Sequence, residues 1–300
     1  MTPRARTLIG LGAAALLVLL SACGPAPSPR YHLGAPYQAG GAWHYPRESF
    51  ELDETGLGGT LPSAGLPWGG PVLTANGEAY DASAMAAAHA TLQLPAIARL
   101  TNLENGLSVL VRINDRGTGN PRRLVEFTPR VATLLRVVAN APVQVRVTVL
   151  SQESRAAVEA MAGAPSLAIA VAPRGRIEAV ELAPPAGAAA RPGLAPIAAV
   201  ADSQDAKPAA APTRLAESLT QYAPSPGRLV VRLGTFEEYQ NAMIQRARTI
   251  SLGPAIVQVW EGRTRRYRVE IGPLASVAQA DQTQAQAMAL GVPDARIVID

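Results

Sequence analysis

Cysteine is almost missing from this chain: of 300 residues only Cys23 carries a thiol. An internal disulfide is therefore excluded, and so is a metal site built on several thiolates. Aromatic residues are scarce too, 4% of the chain, while glycine and proline contribute 26 residues each. A sequence so poor in rings and so rich in backbone breakers cannot be packed core throughout. Its length suggests two domains rather than one. Charge of one sign is also lacking. The formal net charge is +4, and two of those units come from Arg4 and Arg6. With no basic stripe interleaved with aromatics, nucleic acid is not an expected partner. The apolar run over residues 8–20 is too short to span a bilayer comfortably.

That run is nevertheless informative. Preceded by Arg4 and Arg6, it reads as the core of a signal peptide over residues 1–22. It ends in Leu20-Ser21-Ala22-Cys23, which resembles a bacterial lipobox, with Cys23 as the acylated residue. The resemblance implies a lipid anchor in a membrane, and Gly24 after the cysteine favours outer-membrane delivery facing the periplasm. Residues 23–51 read as a tether and lead-in.

The chain is organised around residues 73–117. Asn105-Gly106 stands between two largely apolar runs, 97–101 and 109–113, a strong hairpin signal. A short helix is predicted over 82–89, with Asp81 as its N-cap and His89 at its C-terminal end. Glu78 and Asp81 precede that helix and Asp115 follows the second strand. Carboxylates at both ends of a hairpin can face each other across a groove, as acid–base chemistry on a glycosidic bond requires.

Three motifs in this stretch carry a resemblance. Thr74-Ala75-Asn76-Gly77-Glu78-Ala79-Tyr80-Asp81, Ala87-Ala88-His89-Ala90-Thr91-Leu92 and Val111-Arg112-Ile113-Asn114-Asp115-Arg116-Gly117 resemble, in order and spacing, the core of the RlpA-like double-psi β-barrel. The resemblance implies a six-stranded barrel over residues 52–151 and lytic transglycosylation of peptidoglycan. Asp115 is then the expected acid/base and Glu78 a second carboxylate that polarises or positions the sugar. Asp81 and His89 would orient the pair. An ion pair between Asp115 and Arg116 in the turn is the structural alternative. The chain departs from the family at residues 57–72, where Gly58-Gly59-Thr60-Leu61 replaces an A-S-W-Y-G element expected to form the first strand. Trp68 is a candidate to replace the lost sugar-stacking surface, or else a plug under its loop.

Beyond the hairpin, a helix is predicted over 129–139. Val143, Val145, Val147 and Val149 then alternate as a half-buried strand does. Residues 152–227 read as a largely disordered linker, with one or two helical turns at 154–162, a short strand at 167–171, and an Ala/Pro-rich run from 184 to 226 in which 214–221 is the one transient helix. Residues 228–300 read β-α-β-β-α-β, an α+β unit of ferredoxin or RNP-like type. Val231-Arg232-Leu233-Gly234-Thr235-Phe236 and Tyr267-Arg268-Val269-Glu270-Ile271-Gly272-Pro273-Leu274 resemble the two halves of a SPOR domain. That resemblance implies binding of glycan strands stripped of stem peptides, with Arg232, Tyr267 and Arg268 as candidate contacts. Neighbouring residues of a strand face opposite ways, so Tyr267 and Arg268 cannot both do so.

Three functions remain open at this level. One is a lipid-anchored, septum-enriched lytic transglycosylase cutting denuded glycan to 1,6-anhydro-muramic acid ends. The second is a non-catalytic septal glycan-binding protein, and the third an outer-membrane-to-wall tether. No cofactor and no metal is expected; divisome proteins are candidate partners.

Overall fold

The computed structural model describes residues 28–62, 72–138, 141–165 and 214–300. Cys23, Trp68 and the expected strand at 167–171 lie outside them.

A small hairpin leads in, β1 (Tyr37–Ala39) with β2 (Ala42–His44). The barrel strands are β3 (Asp53–Thr60), β4 (Ala86–Ala88), β5 (Ala96–Asn102), β6 (Leu107–Asp115), β7 (Val125–Phe127) and β8 (Val143–Val149). They run β4-β7-β3-β8-β5-β6, and a further β4–β6 pairing closes the ring of six. The β3–β7 and β4–β6 pairs are parallel and the others antiparallel. The four alternating valines of β8 are all buried, beside Leu100, Val111, Phe127 and Leu135. The hairpin turns where expected, with Gly106 in the left-handed region at φ 76°.

The first barrel strand is present despite the altered sequence. It is made by residues 53–60, and Gly58 has its place because a Cβ there would meet the Phe127 ring at 2.8 Å. The helix predicted over 129–139 is shorter: α1 spans Pro129–Leu134, capped by Thr128, and stops before Arg136, which turns to φ 53°. Strand β8 runs directly into α2 (Ser151–Glu159), a packed helix that starts three residues earlier than the helical turns expected at 154–162. Ser154 is fully buried there and its Oγ bonds both backbone groups of Ile97, fixing α2 to the barrel.

The chain is next described at residue 214, where a transient helix was expected. It forms a strand instead, β9 (Leu219–Gln221), antiparallel to Leu107–Val109 of β6. Strand β5 occupies one edge of β6, and β4 takes the far end of the other, leaving the near end for β9.

The C-terminal unit follows the expected order: β10 (Leu229–Phe236), α3 (Tyr239–Arg248), β11 (Ala255–Glu261), β12 (Thr264–Leu274), α4 (Val277–Ala289) and β13 (Arg296–Ile299). Its sheet runs β11-β12-β10-β13. Ser276 caps α4, accepting from the Gln279 amide at 3.2 Å. Strand β13 lies against β3. Thr55 Oγ1 donates to the Ile299 carbonyl at 2.6 Å, and Arg123 pairs with Asp281 at 3.3 Å. Leu57 and Leu103 of the barrel are buried in the same apolar cluster as Val231 and Ile297.

Candidate active site

Strand alternation explains the centre of the site. In Val111-Arg112-Ile113-Asn114, the valine and isoleucine pack into the barrel core while Arg112 and Asn114 face the other way, together. Both meet Glu78, presented by a tight turn in which the Thr74 amide donates to the Glu78 carbonyl at 2.8 Å and Gly77 sits at φ 86°. Glu78 Oε1 accepts from Arg112 Nη2 at 2.7 Å, Arg112 Nε at 3.0 Å and Asn76 Nδ2 at 2.8 Å. Its Oε2 accepts from Asn114 Nδ2 at 2.8 Å. Burial by itself pushes the Glu78 carboxyl up, but the bonds from Arg112, Asn114 and Asn76 outweigh it and hold the pKa below the usual value. This carboxylate is saturated and ionised. Its neighbours Arg112 and Asn114 are site residues that the sequence reading quoted only as motif letters; their two-residue spacing was the available signal.

Asp115 ends β6 and is differently placed. Its Oδ1 accepts from the amides of Ala75 at 2.9 Å and Arg116 at 2.8 Å, while Oδ2 takes no hydrogen bond among the described residues. Arg116 makes no turn ion pair with it. Its guanidinium donates instead to the carbonyls of His89, Leu92 and Leu33. Asp115 lines a narrow cleft with Thr74, Tyr80, Asp81 and Asn114. Burial raises the Tyr80 pKa first and the charges of Asp115 and Asp81 raise it further, so the phenol remains a proton-bearing donor. Tyr80 is a third such residue, present in the Thr74–Asp81 motif but with no role assigned from sequence.

The helix predicted over 82–89 does not form. Asp81 Oδ1 accepts from Ser83 N at 2.8 Å and Ser83 Oγ at 2.6 Å, making a turn, and residues 86–88 become β4 between β6 and β7. Asp81 therefore caps a turn, not a helix. The Ser83 hydroxyl, then the Ser83 amide, then Arg214 lower its pKa and hold it ionised. A carboxylate with one free oxygen, beside an ionised carboxylate and a phenol donor, is equipped to pass a proton to and from a bond held in the cleft.

A family model described as lytic transglycolase matches residues 64–151. An endolytic peptidoglycan transglycosylase RlpA of Pseudomonas aeruginosa (strain UCBPP-PA14) is 30% identical over 259 residues, covering 83% of this chain and 72% of that protein. The protein of the same name from Escherichia coli K12 is 40% identical over 84 residues, 28% of this chain and 23% of its own. That of Helicobacter pylori is 35% identical over 119 residues, 38% and 36% of the two chains. The chain belongs to the RlpA family. Its barrel is the family's double-psi lytic transglycosylase domain.

Within this RlpA-family barrel His89 stands apart from the cleft. It is buried, and its Nδ1 accepts from the amides of Thr91 and Leu92, both at 3.2 Å. The proton therefore sits on Nε2, which has no partner among the described residues. Burial first, then the charge of Arg116, pushes its pKa down to about 3, so the ring is neutral. It borders a separate, wider groove with His44, Thr91 and Arg122. The backbone alone links it to Asp115: the His89 amide donates to the Asp115 carbonyl at 3.0 Å.

On the C-terminal unit Arg232 and Arg268 share a face with Glu270, and Arg232 Nε pairs with Glu270 Oε1 at 2.8 Å. Tyr267 points the other way. It is 8% exposed, under Tyr239, with ring centroids 5.3 Å apart and edge to face. Among the described residues no group of three His, Cys, Asp or Glu side chains is placed to hold a metal.

Proposed function

We propose that this protein cleaves the glycan strands of peptidoglycan by lytic transglycosylation, with Asp115 as the single acid/base. The observation that carries this reading is the free Oδ2 of Asp115 in a cleft shared with ionised Asp81 and protonated Tyr80. Asp115 protonates the leaving glycosidic oxygen as the bond from the anomeric carbon breaks. The C6 hydroxyl of the muramic acid attacks that carbon and returns its proton to Asp115, leaving a 1,6-anhydro end. Asp81 faces the positive charge that develops on the sugar ring, and Tyr80 donates to a ring substituent. Glu78 does not touch the sugar in this scheme; it holds Asn114, and so the end of β6, in place.

The sequence of the C-terminal unit supports a SPOR domain that gathers the enzyme on stem-free glycan at the septum, with Arg232 and Arg268 as the contacts. The Leu20–Cys23 motif supports anchorage by acylation of Cys23. The test is mass spectrometry of stem-free glycan digested with the purified protein. Anhydro-ended sugars are expected from the wild type and none from Asp115→Asn. A wild type that binds this glycan yet releases nothing overturns the enzymatic reading in favour of a septal binding module.

A further inference from the structure

The segment that follows the Ala/Pro-rich stretch returns to the barrel and is fastened along its length. Leu215 packs against the barrel core. Glu217 accepts from Arg130 Nε at 2.7 Å and Nη2 at 2.6 Å, a bidentate pair. Strand β9 pairs with β6, Gln221 Nε2 donates to the Asn105 carbonyl at 2.7 Å, and the Tyr222 amide donates to the Gly106 carbonyl at 2.8 Å. Arg214 is the first described residue of this strap. Its Nη1 lies 2.9 Å from Asp81 Oδ2 and its Nη2 donates to Ser83 Oγ at 3.0 Å.

Exposed pairs of this kind contribute little to stability, so stability is a poor reason for the arrangement. The Arg214 side chain is 65% exposed, and only two of its five N–H donors are engaged among the described residues. What the strap achieves is to hold a guanidinium, with donors to spare, beside a carboxylate of the cleft. A guanidinium fork matches a carboxylate bidentately. Muramic acid carries such a group: its lactyl carboxyl is free in a stem-free strand and tied up as an amide where a peptide is attached.

We propose that Arg214 is a specificity-determining residue of the cleft, which receives the free carboxylate of a stem-free sugar and so selects denuded over peptide-bearing glycan. The proposal rests on the transglycosylase reading above, and adds to it a source of substrate choice in the barrel itself, independent of the C-terminal unit.

The experiment uses the full chain as wild type, Arg214→Gln and Arg214→Lys, each assayed on stem-free glycan and on the same glycan with its peptides. The ratio of kcat/KM for the two substrates is expected to fall about tenfold or more in the glutamine variant, mainly through KM on stem-free glycan, because one charge-assisted pair is lost. Lysine restores part of the ratio. An equal loss on both substrates, an equal gain on both, or no change overturns the proposal. The gain would mean that Arg214 restrains Asp81 instead. Thermal unfolding of the variants serves as the check on folding. If the wild type releases no anhydro product from either substrate, the transglycosylase reading has failed. Arg214 is then judged by calorimetric titration with a stem-free glycan fragment and its carboxyl-reduced analogue. Discrimination that is lost in Arg214→Gln supports the proposal; discrimination that is unaltered, or never present, overturns it.

Discussion

Arg112 and Glu78 form a bidentate ion pair inside the barrel wall, Nη2 to Oε1 at 2.7 Å, with both side chains less than a tenth exposed. The carboxylate expected to polarise or position the sugar thus has both its oxygens engaged, by Arg112 and Asn114. Asp115, three residues beyond Arg112, is left with the free oxygen.

Glu78 and Asp115 should therefore fail differently. Glu78→Gln strands a buried guanidinium, a change that costs about 3–5 kcal/mol, and should lower Tm by roughly ten degrees or more. Asp115→Asn should leave Tm where it is and lower turnover by about 10²–10⁴-fold. Calorimetry beside the product assay separates the two. A Glu78→Gln protein with normal Tm and no turnover would return Glu78 to direct catalysis.

Acid should destabilise the fold in two stages. His89 has its folded pKa pushed down to about 3 from 6.5, so the unfolded chain binds more protons between those values. Its contribution is complete well above pH 6.5 and is lost as pH falls, by on the order of 1 kcal/mol at pH 5.5. Glu78, also depressed, adds its loss only below its ordinary value of 4.5. Urea midpoints at pH 7 and 5.5 should differ for the wild type and draw closer for His89→Gln. A remainder comes from His32, whose pKa is also lowered, by burial first and then by the charge of Arg116.

Gly106→Ala tests the strap. Gly106 is at φ 76°, and a Cβ there would lie 2.0 Å from the Tyr222 carbonyl oxygen. The substitution should cost about 1–3 kcal/mol and lift β9 from β6. Hydrogen exchange at the Tyr222 amide should quicken, and no change there would mean that the segment is held elsewhere.

Tyr267 and Arg268 are neighbours with opposite duties. Tyr267→Ala empties a core position, at about 3–5 kcal/mol by analogy with other large aromatics, and should unfold the C-terminal unit. Arg268→Ala should leave unfolding unchanged and weaken retention on stem-free sacculi. Equal retention by Arg268→Ala and wild type would remove Arg268 from the binding face.

Cys23→Ser should abolish acylation and release the protein from the membrane fraction. Acylation persisting in that variant, read by mass spectrometry, would show that the lipobox reading of residues 20–23 is wrong.

Much of the fold was legible in short-range pattern. Alternating valines marked β8, Asn105-Gly106 marked the hairpin, and the β-α-β-β-α-β order of residues 228–300 followed from periods of 2 and 3.6. The three motifs identified the barrel and assembled its acidic residues in one stretch. What they could not supply was the partner of each group. Glu78 reads as a second carboxylate that polarises or positions the sugar until Arg112, 34 positions away, is found to fill it. Residues 82–89 look helical in isolation, yet become a turn and β4 because two other strands offer their edges to residues 86–88. Arg214 lies in a stretch that reads as linker, and meets Asp81 only because β6 has a free edge for β9. Local propensity is set by neighbours in sequence, whereas burial, charge pairing and edge pairing depend on what the closed barrel brings together.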